Sequence, residues 1–239
     1  MRKAIPLTAV LAFALLGACK SSGGDKGSGG GNGETANCGG GTDIAAMIIK
    51  QYLDGNQKAA PWIAIHETVN VGQQWHVESD FGQGPSVDKW QIVAKPGKSE
   101  FIVEHLSGQG VVIAYQVDAW AEAGEPNVRK AWIGKEGEEP QEIKVAEWQK
   151  STGGTKGEEP GFVMKAKFYN VEMAGKKFEG ETITIKETDW SSRTWIADNG
   201  WFNKVIRMDY NDKTQMKVIA AKFDEKVDTF LKWPKPEKK

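Results

Sequence analysis

The sequence predicts a mainly β fold, one large curved antiparallel sheet wrapping one or two short helices. Three observations lead there. Short runs rich in β-branched and aromatic residues recur from Gln74 to Phe223, divided by brief Gly, Pro and Asn turn signals, which is the signature of antiparallel neighbours. One amphipathic helical pattern precedes them and needs a surface to pack on. All ten tryptophans fall after residue 60, so large apolar area is concentrated in the strand-rich part.

Taken in order, Thr42 or Asp43 can cap a helix in which Ile44, Met47, Ile48 and Tyr52 recur at spacings of three and four, and Gly55 ends it. Strands are predicted at Gln74 to Phe81, Val87 to Lys95, Ser99 to Leu106 and Val111 to Ala121, with turns at Gly82 to Pro85, Pro96-Gly97 and Ser107 to Gly110. After Glu125-Pro126 come Val128 to Gly134 and Gln141 to Val145, flanking Gly137 to Pro140, then a long polar loop from Ser151 to Gly161. Phe162 to Met173, Phe178 to Glu187, Thr194 to Ala197, Lys204 to Tyr210 and Gln215 to Phe223 complete the strands, with Asn211 to Lys213 a hairpin turn. Asp224 to Trp233 reads as a short last helix. Trp90-Gln91-Ile92-Val93 is echoed by Ala131-Trp132-Ile133-Gly134. No fixed period persists, so the echo reads as two similar hairpins. This pattern fits a single curved sheet, a barrel or a sandwich, and the leading helix favours a sheet wrapped around it.

The first forty residues have a different character. Arg2 and Lys3 precede an apolar run from Ile5 to Leu16, of the about 7 to 15 residues that a secretory leader uses and too short to span a bilayer. It ends in Leu16-Gly17-Ala18-Cys19, which resembles the lipobox of bacterial lipoproteins. The resemblance implies cleavage before Cys19 and acylation of its thiol and amine. Buried acyl chains contribute about 0.8 kcal/mol per CH₂, and two or more make a lasting anchor. Lys20 follows, not Asp; by the same resemblance that favours the outer membrane, with the periplasmic or surface face left open. From Lys20 to Gly41 almost nothing apolar is available to bury, so this stretch is expected to be a flexible tether. The organisation read from sequence is a signal peptide over 1–18, a lipidated tether over 19–41, one β-rich domain over 42–233 and a charged tail over 234–239.

Charge and cysteine usage exclude several classes. The leader holds two of the 31 basic side chains and none of the 32 acidic ones, so the mature chain carries 29 against 32, a net of −3. Such a balance argues against a nucleic-acid partner, which needs a basic patch to displace phosphate counterions. With Cys19 acylated, Cys38 has no intramolecular partner, leaving a free thiol, an intermolecular disulfide or no role, and ruling out a disulfide framework or cysteine zinc site. The remaining domain, roughly 195 residues, is large enough for one real core.

The order of helix and long antiparallel meander resembles the lipoprotein-carrier class of bacterial envelope proteins. So does the stretch from Trp195 to Tyr210, in which an indole strand, the turn Asp198-Asn199-Gly200, the pair Trp201-Phe202 and the strand Lys204-Val205-Ile206-Arg207 run in succession. The resemblance implies a half-barrel whose concave face holds acyl chains.

Catalytic patterns are weak. His66-Glu67 is not followed by a histidine four residues on, so a zinc-protease helix motif is absent, and His76 with Glu78 on one strand face reads as solvated or core side chains sooner than as a metal site. Glu104 and His105 point to opposite faces. No Gly-x-Ser-x-Gly elbow is present, and Asp189-Trp190-Ser191-Ser192 lacks an identifiable base. Glu138-Glu139 and Glu158-Glu159 sit beside prolines in loops, and Gly153-Gly154-Thr155-Lys156-Gly157 lacks phosphate-loop spacing. A non-enzymatic protein without cofactor or metal is expected.

Tryptophan offers a large ring and one N–H donor, which suits a surface partly wet and partly apolar. Most of the ten are expected to fill the core. Trp75, Trp90, Trp120, Trp132, Trp195 and Trp201 are the candidates for lining a cavity that takes a lipid or lipidated partner. The rival expectation, from a different class, is a scaffolding or protein-interaction module of the cell envelope with exposed aromatics and no small-ligand cavity.

Overall fold

A computed structural model describes residues 43–65, 69–122, 124–148 and 162–234. The chain divides into two compact units, Met1–Thr42 and Asp43–Lys239, and every described residue belongs to the second. The leader, Cys19, the tether with Cys38, His66-Glu67, the Ser151 to Gly161 loop with its glycines and glutamates, and residues 235–239 of the tail therefore lie outside the described residues.

Helix α1 (Ile44–Leu53) is followed by eleven strands: β1 (Gln73–Ser79), β2 (Ser86–Ala94), β3 (Glu100–Leu106), β4 (Val111–Asp118), β5 (Val128–Lys135), β6 (Gln141–Ile143), β7 (Phe162–Met173), β8 (Lys176–Lys186), β9 (Ser191–Ala197), β10 (Val205–Tyr210) and β11 (Lys213–Phe223). They form one antiparallel sheet in the order β6-β5-β4-β3-β2-β1-β11-β10-β9-β8-β7. Two meanders, β1 to β6 and β7 to β11, are joined by pairing the first strand to the last. Among the described residues β6 and β7 are its edges, so the sheet is not closed.

All eleven predicted strands form, with ends displaced by a few residues, and the predicted turns divide them. The β10–β11 turn places Asn211 and Asp212 at φ 46° and 60°, the paired left-handed residues of a tight hairpin, which Asn and Asp tolerate better than most side chains.

The sheet is strongly curled. Trp75 on β1 and Phe178 on β8 are four strands apart, about 19 Å on a flat sheet at about 4.8 Å per strand. Their ring centroids are 6.2 Å apart. The face carrying Trp75 is therefore concave, and α1 packs on that side against β4, β5 and β6.

Asp43 caps α1, its Oδ1 accepting from the Ala46 N–H at 2.9 Å, and Gly55 follows the end of the helix at φ 78°. The packed stripe is not the predicted one. Ala45, Ile48, Ile49 and Tyr52 join the core while Ile44 and Met47 stay exposed, because two overlapping apolar stripes share Ile48 and Tyr52 and the one centred on Ile49 meets the sheet. The incoming chain is then tied to β5 by Asn127, whose buried amide accepts from Ile63 N–H at 2.9 Å and donates to Ile63 C=O at 2.7 Å.

The predicted last helix does not form. Residues 224–234 make an extended strap across the other face of the sheet. Its backbone is claimed by the sheet: the Phe230 and Leu231 N–H groups donate to the Glu104 carboxylate, the Gly137 N–H donates to Phe230 C=O, and Lys232 N–H to Glu138 C=O. A helix would need those groups for itself. Among the described residues one helix, not two, is wrapped.

Candidate functional site

The concave face is an aromatic interior. Along the middle strands the even spacing of the pleat sends Trp75 and Val77 on β1, Trp90 and Ile92 on β2, Phe101, Val103 and His105 on β3, and Ile113, Tyr115 and Val117 on β4 to one side. Trp75 and Trp90 are direct cross-strand partners. Trp90 stacks on His105, centroids 3.9 Å apart and nearly parallel, with Tyr115 beyond it at 6.5 Å. The His105 Nε2 lies 3.0 Å from Asp88 Oδ1, which orients the imidazole against the indole. Burial pushes the pKa of the Tyr115 and Tyr52 phenols above the ordinary value, so both stay neutral at physiological pH.

A loop, not a strand, completes this interior. Residues 198–204 between β9 and β10 fold inward so that Trp201 lies 6.3 Å from Trp75 and Phe202 lies 6.0 Å from Trp90. In the sheet order β10 is two strands from β1 and three from β2, so these contacts join strands that are not neighbours. Phe202 and Lys204 both sit at positive φ, 50° and 61°, a costly backbone for side chains with a Cβ. Lys176 caps the plug, its Nζ 4.1 Å from the Trp201 ring, and burial pulls its ammonium below the ordinary lysine value. On the β7–β10 wing Trp195 packs on Phe168 at 5.2 Å and donates its indole N–H to Asp209, which also accepts from Arg207 and Thr214.

Of the six tryptophans proposed as cavity residues, Trp75, Trp90, Trp195 and Trp201 belong to this interior. Two do not. Trp120 follows the end of β4 in an outward turn, where Asp118 Oδ1 caps its N–H, and is 56% exposed beneath the Lys98 amine. Trp132 lies on the opposite face, because Ala131 and Ile133 take the concave positions of β5. It packs edge-on against Trp233 at 5.2 Å. Tyr52, from the predicted apolar helix face, and Phe202, from the Trp201-Phe202 pair, complete the interior with Tyr115, Phe168 and Phe178, three residues not singled out from the sequence. The apolar alternation around Tyr115 and the parity of Phe178 with Thr182 were the available signals.

The convex face carries a second cluster: Leu106, Val112, Ala114 and Trp132, covered by Phe230, Leu231 and Trp233 of the strap. At its centre is Glu104, wholly buried, accepting from Gln91 Nε2 at 2.8 Å, Phe230 N–H at 2.6 Å, Leu231 N–H at 3.3 Å and Trp233 Nε1 at 2.7 Å. Among the described residues four donors and no cation satisfy this carboxylate. Gly134 leaves room for the strap, since a Cβ there would meet Leu231 Cδ2 at 3.0 Å.

The histidine and serine candidates lead elsewhere. Glu78 pairs with Lys217 at 2.9 Å. His76 lies near Lys89 and Lys222, and burial together with these charges depresses its basicity. No three potential metal ligands converge among the described residues. Ser191 and Ser192 line a polar dent of about 80 Å³ with Thr184, Lys186, Arg193, Asp209 and Asp212, with no histidine in its wall. A wider depression of about 430 Å³ lies beside α1, walled by Ile49, Leu53, Lys50 and Lys135.

No protein-family model matches the chain, and no curated protein matches it.

Proposed function

We propose that the chain is a membrane-anchored envelope lipoprotein whose concave face holds the apolar part of an amphiphile, a lipid or a lipidated partner, without covalent chemistry. One observation carries the reading. The aromatic interior is finished by the Trp201–Phe202 loop in a costly backbone conformation, and a plug of that kind can give way to an acyl chain that replaces its contacts. The ligand gains Trp75 and Trp90 as walls while the loop returns to an unstrained conformation.

Native mass spectrometry of the full chain extracted from its own membrane tests this. The expected result is a bound lipid mass beyond any covalently attached acyl groups, retained in wild type and altered in occupancy by Phe202→Ala. A chain that is always empty, under conditions in which a known carrier keeps its lipid, overturns the reading.

A second reading is favoured by a different observation. Neither of the two depressions described above is lined by an aromatic of the interior, as suits an interaction module with a filled sheet. The same empty spectrum, with a partner protein retained instead, selects it.

A further inference from the structure

The antiparallel meander brings the far ends of β1, β8 and β10 and the near ends of β7 and β9 to one rim. Phe81, just past β1, Phe162 and Met164 at the start of β7, Trp190 in the β8–β9 turn and Tyr210 at the end of β10 are all exposed there. Trp190 and Tyr210 stack on each other with centroids 6.2 Å apart and rings 14° from parallel, so two amphipathic rings are presented together. Asp43, where the domain begins, bonds Lys135 at the end of β5, and antiparallel order puts the end of β5 on this same rim. The chain segment leading back to Cys19 joins the domain at this end of the sheet.

We propose that this rim rests on the surface of a neutral, zwitterionic phospholipid bilayer, with Trp190, Tyr210, Phe162 and Met164 at headgroup level. Indole and phenol rings suit that depth because each has an apolar body and a polar tip. Charge selects the lipid. Lys186 and Lys213 on the rim are offset by Asp80, Glu187, Asp189 and Asp212, and Lys135 is paired with Asp43, so apolar insertion and not attraction to anionic headgroups drives the contact. At the opposite end Trp120, just past β4, and Phe223, at the end of β11, are also exposed, but three strands lie between β4 and β11, and Lys98 covers the indole. The proposal rests on the membrane-anchor reading above and adds the orientation of the domain.

The test is tryptophan quenching of the acylated full chain in vesicles of brominated phosphatidylcholine against unbrominated vesicles. Emission is expected to fall in the brominated lipid, most of the fall to vanish in Trp190→Phe, and all of it to persist in Trp120→Phe and after a tenfold rise in salt. No fall in wild type, or a fall that survives Trp190→Phe, overturns the proposal. Unchanged circular dichroism of both variants shows that the fold is kept. Intact mass of the mature chain reads the anchor separately: a missing acyl mass sinks the anchor, and the quenching, repeated at raised lipid concentration, still decides the rim by the same two outcomes.

Discussion

The two faces of the sheet bury tryptophan in opposite ways. On the concave face the rings of Trp201 and Phe202 cover Trp75 and Trp90, while the loop that carries them is tied to β8 only at its stem, where Asp198 N–H donates to Glu179 C=O and the Asn199 amide to Lys177 C=O. On the convex face Trp132 is covered by Trp233, whose indole N–H, with two strap amides, is fastened to the buried Glu104. Ring contacts are non-directional and can be exchanged for another apolar surface. A buried carboxylate with four donors cannot be exchanged without leaving all of them unpaired. The contrast teaches that the first cover is displaceable and the second is a latch.

The largest effect that sharpens this contrast comes from Trp75→Ala. It removes a ring that is 2% exposed at the centre of the concave cluster and is expected to cost about 3–5 kcal/mol, read as a lower urea midpoint. Next is Glu104→Ala, which strands the donors of Gln91, Phe230, Leu231 and Trp233 and is expected to cost about 3 kcal/mol. It should also release the strap, seen as rapid hydrogen exchange at the Phe230 and Leu231 amides. Slow exchange there would break the comparison. The smallest is a pH slope from His76 on the convex face, which burial first and then Lys89 and Lys222 hold below its ordinary value. A depressed folded value means that the unfolded chain binds the proton more readily. The stabilising contribution is thus present above pH of about 6.5 and lost as pH falls through the lower folded value. His76→Gln should flatten that part of the stability profile, measured by denaturant midpoints at stepped pH.

Most of the fold was legible because strand and turn signals are local. The β-branched runs and the Gly, Pro and Asn breaks between them place all eleven strands. What was not legible depended on parity and on distant partners. The echo between Trp90 and Trp132 misleads because Trp90 shares a face with Ile92, two residues on, whereas Trp132 adjoins Ile133 and so faces away from it. Glu104 stood between Ile102 and Leu106 on one strand face, a lone acid in apolar company, and that was the available sign that donors would come from elsewhere. Three of the four donors lie more than a hundred residues on, in a segment whose own composition suggests a helix. The strap forms only because the sheet already offers acceptors and donors at Glu104, Gly137 and Glu138.

Pairing β1 with β11 has a consequence for how the molecule is made. The seam in the middle of the sheet joins the earliest strand to the latest, so its contacts have nearly the greatest sequence separation the domain allows. A chain emerging from its N-terminus can assemble β2 to β6 onto β1 as a growing hairpin array. The other margin of β1 stays bare until the final strand arrives. The seam in the middle of the sheet therefore closes only once β11 has been made, whatever has already assembled on the β2 side of β1.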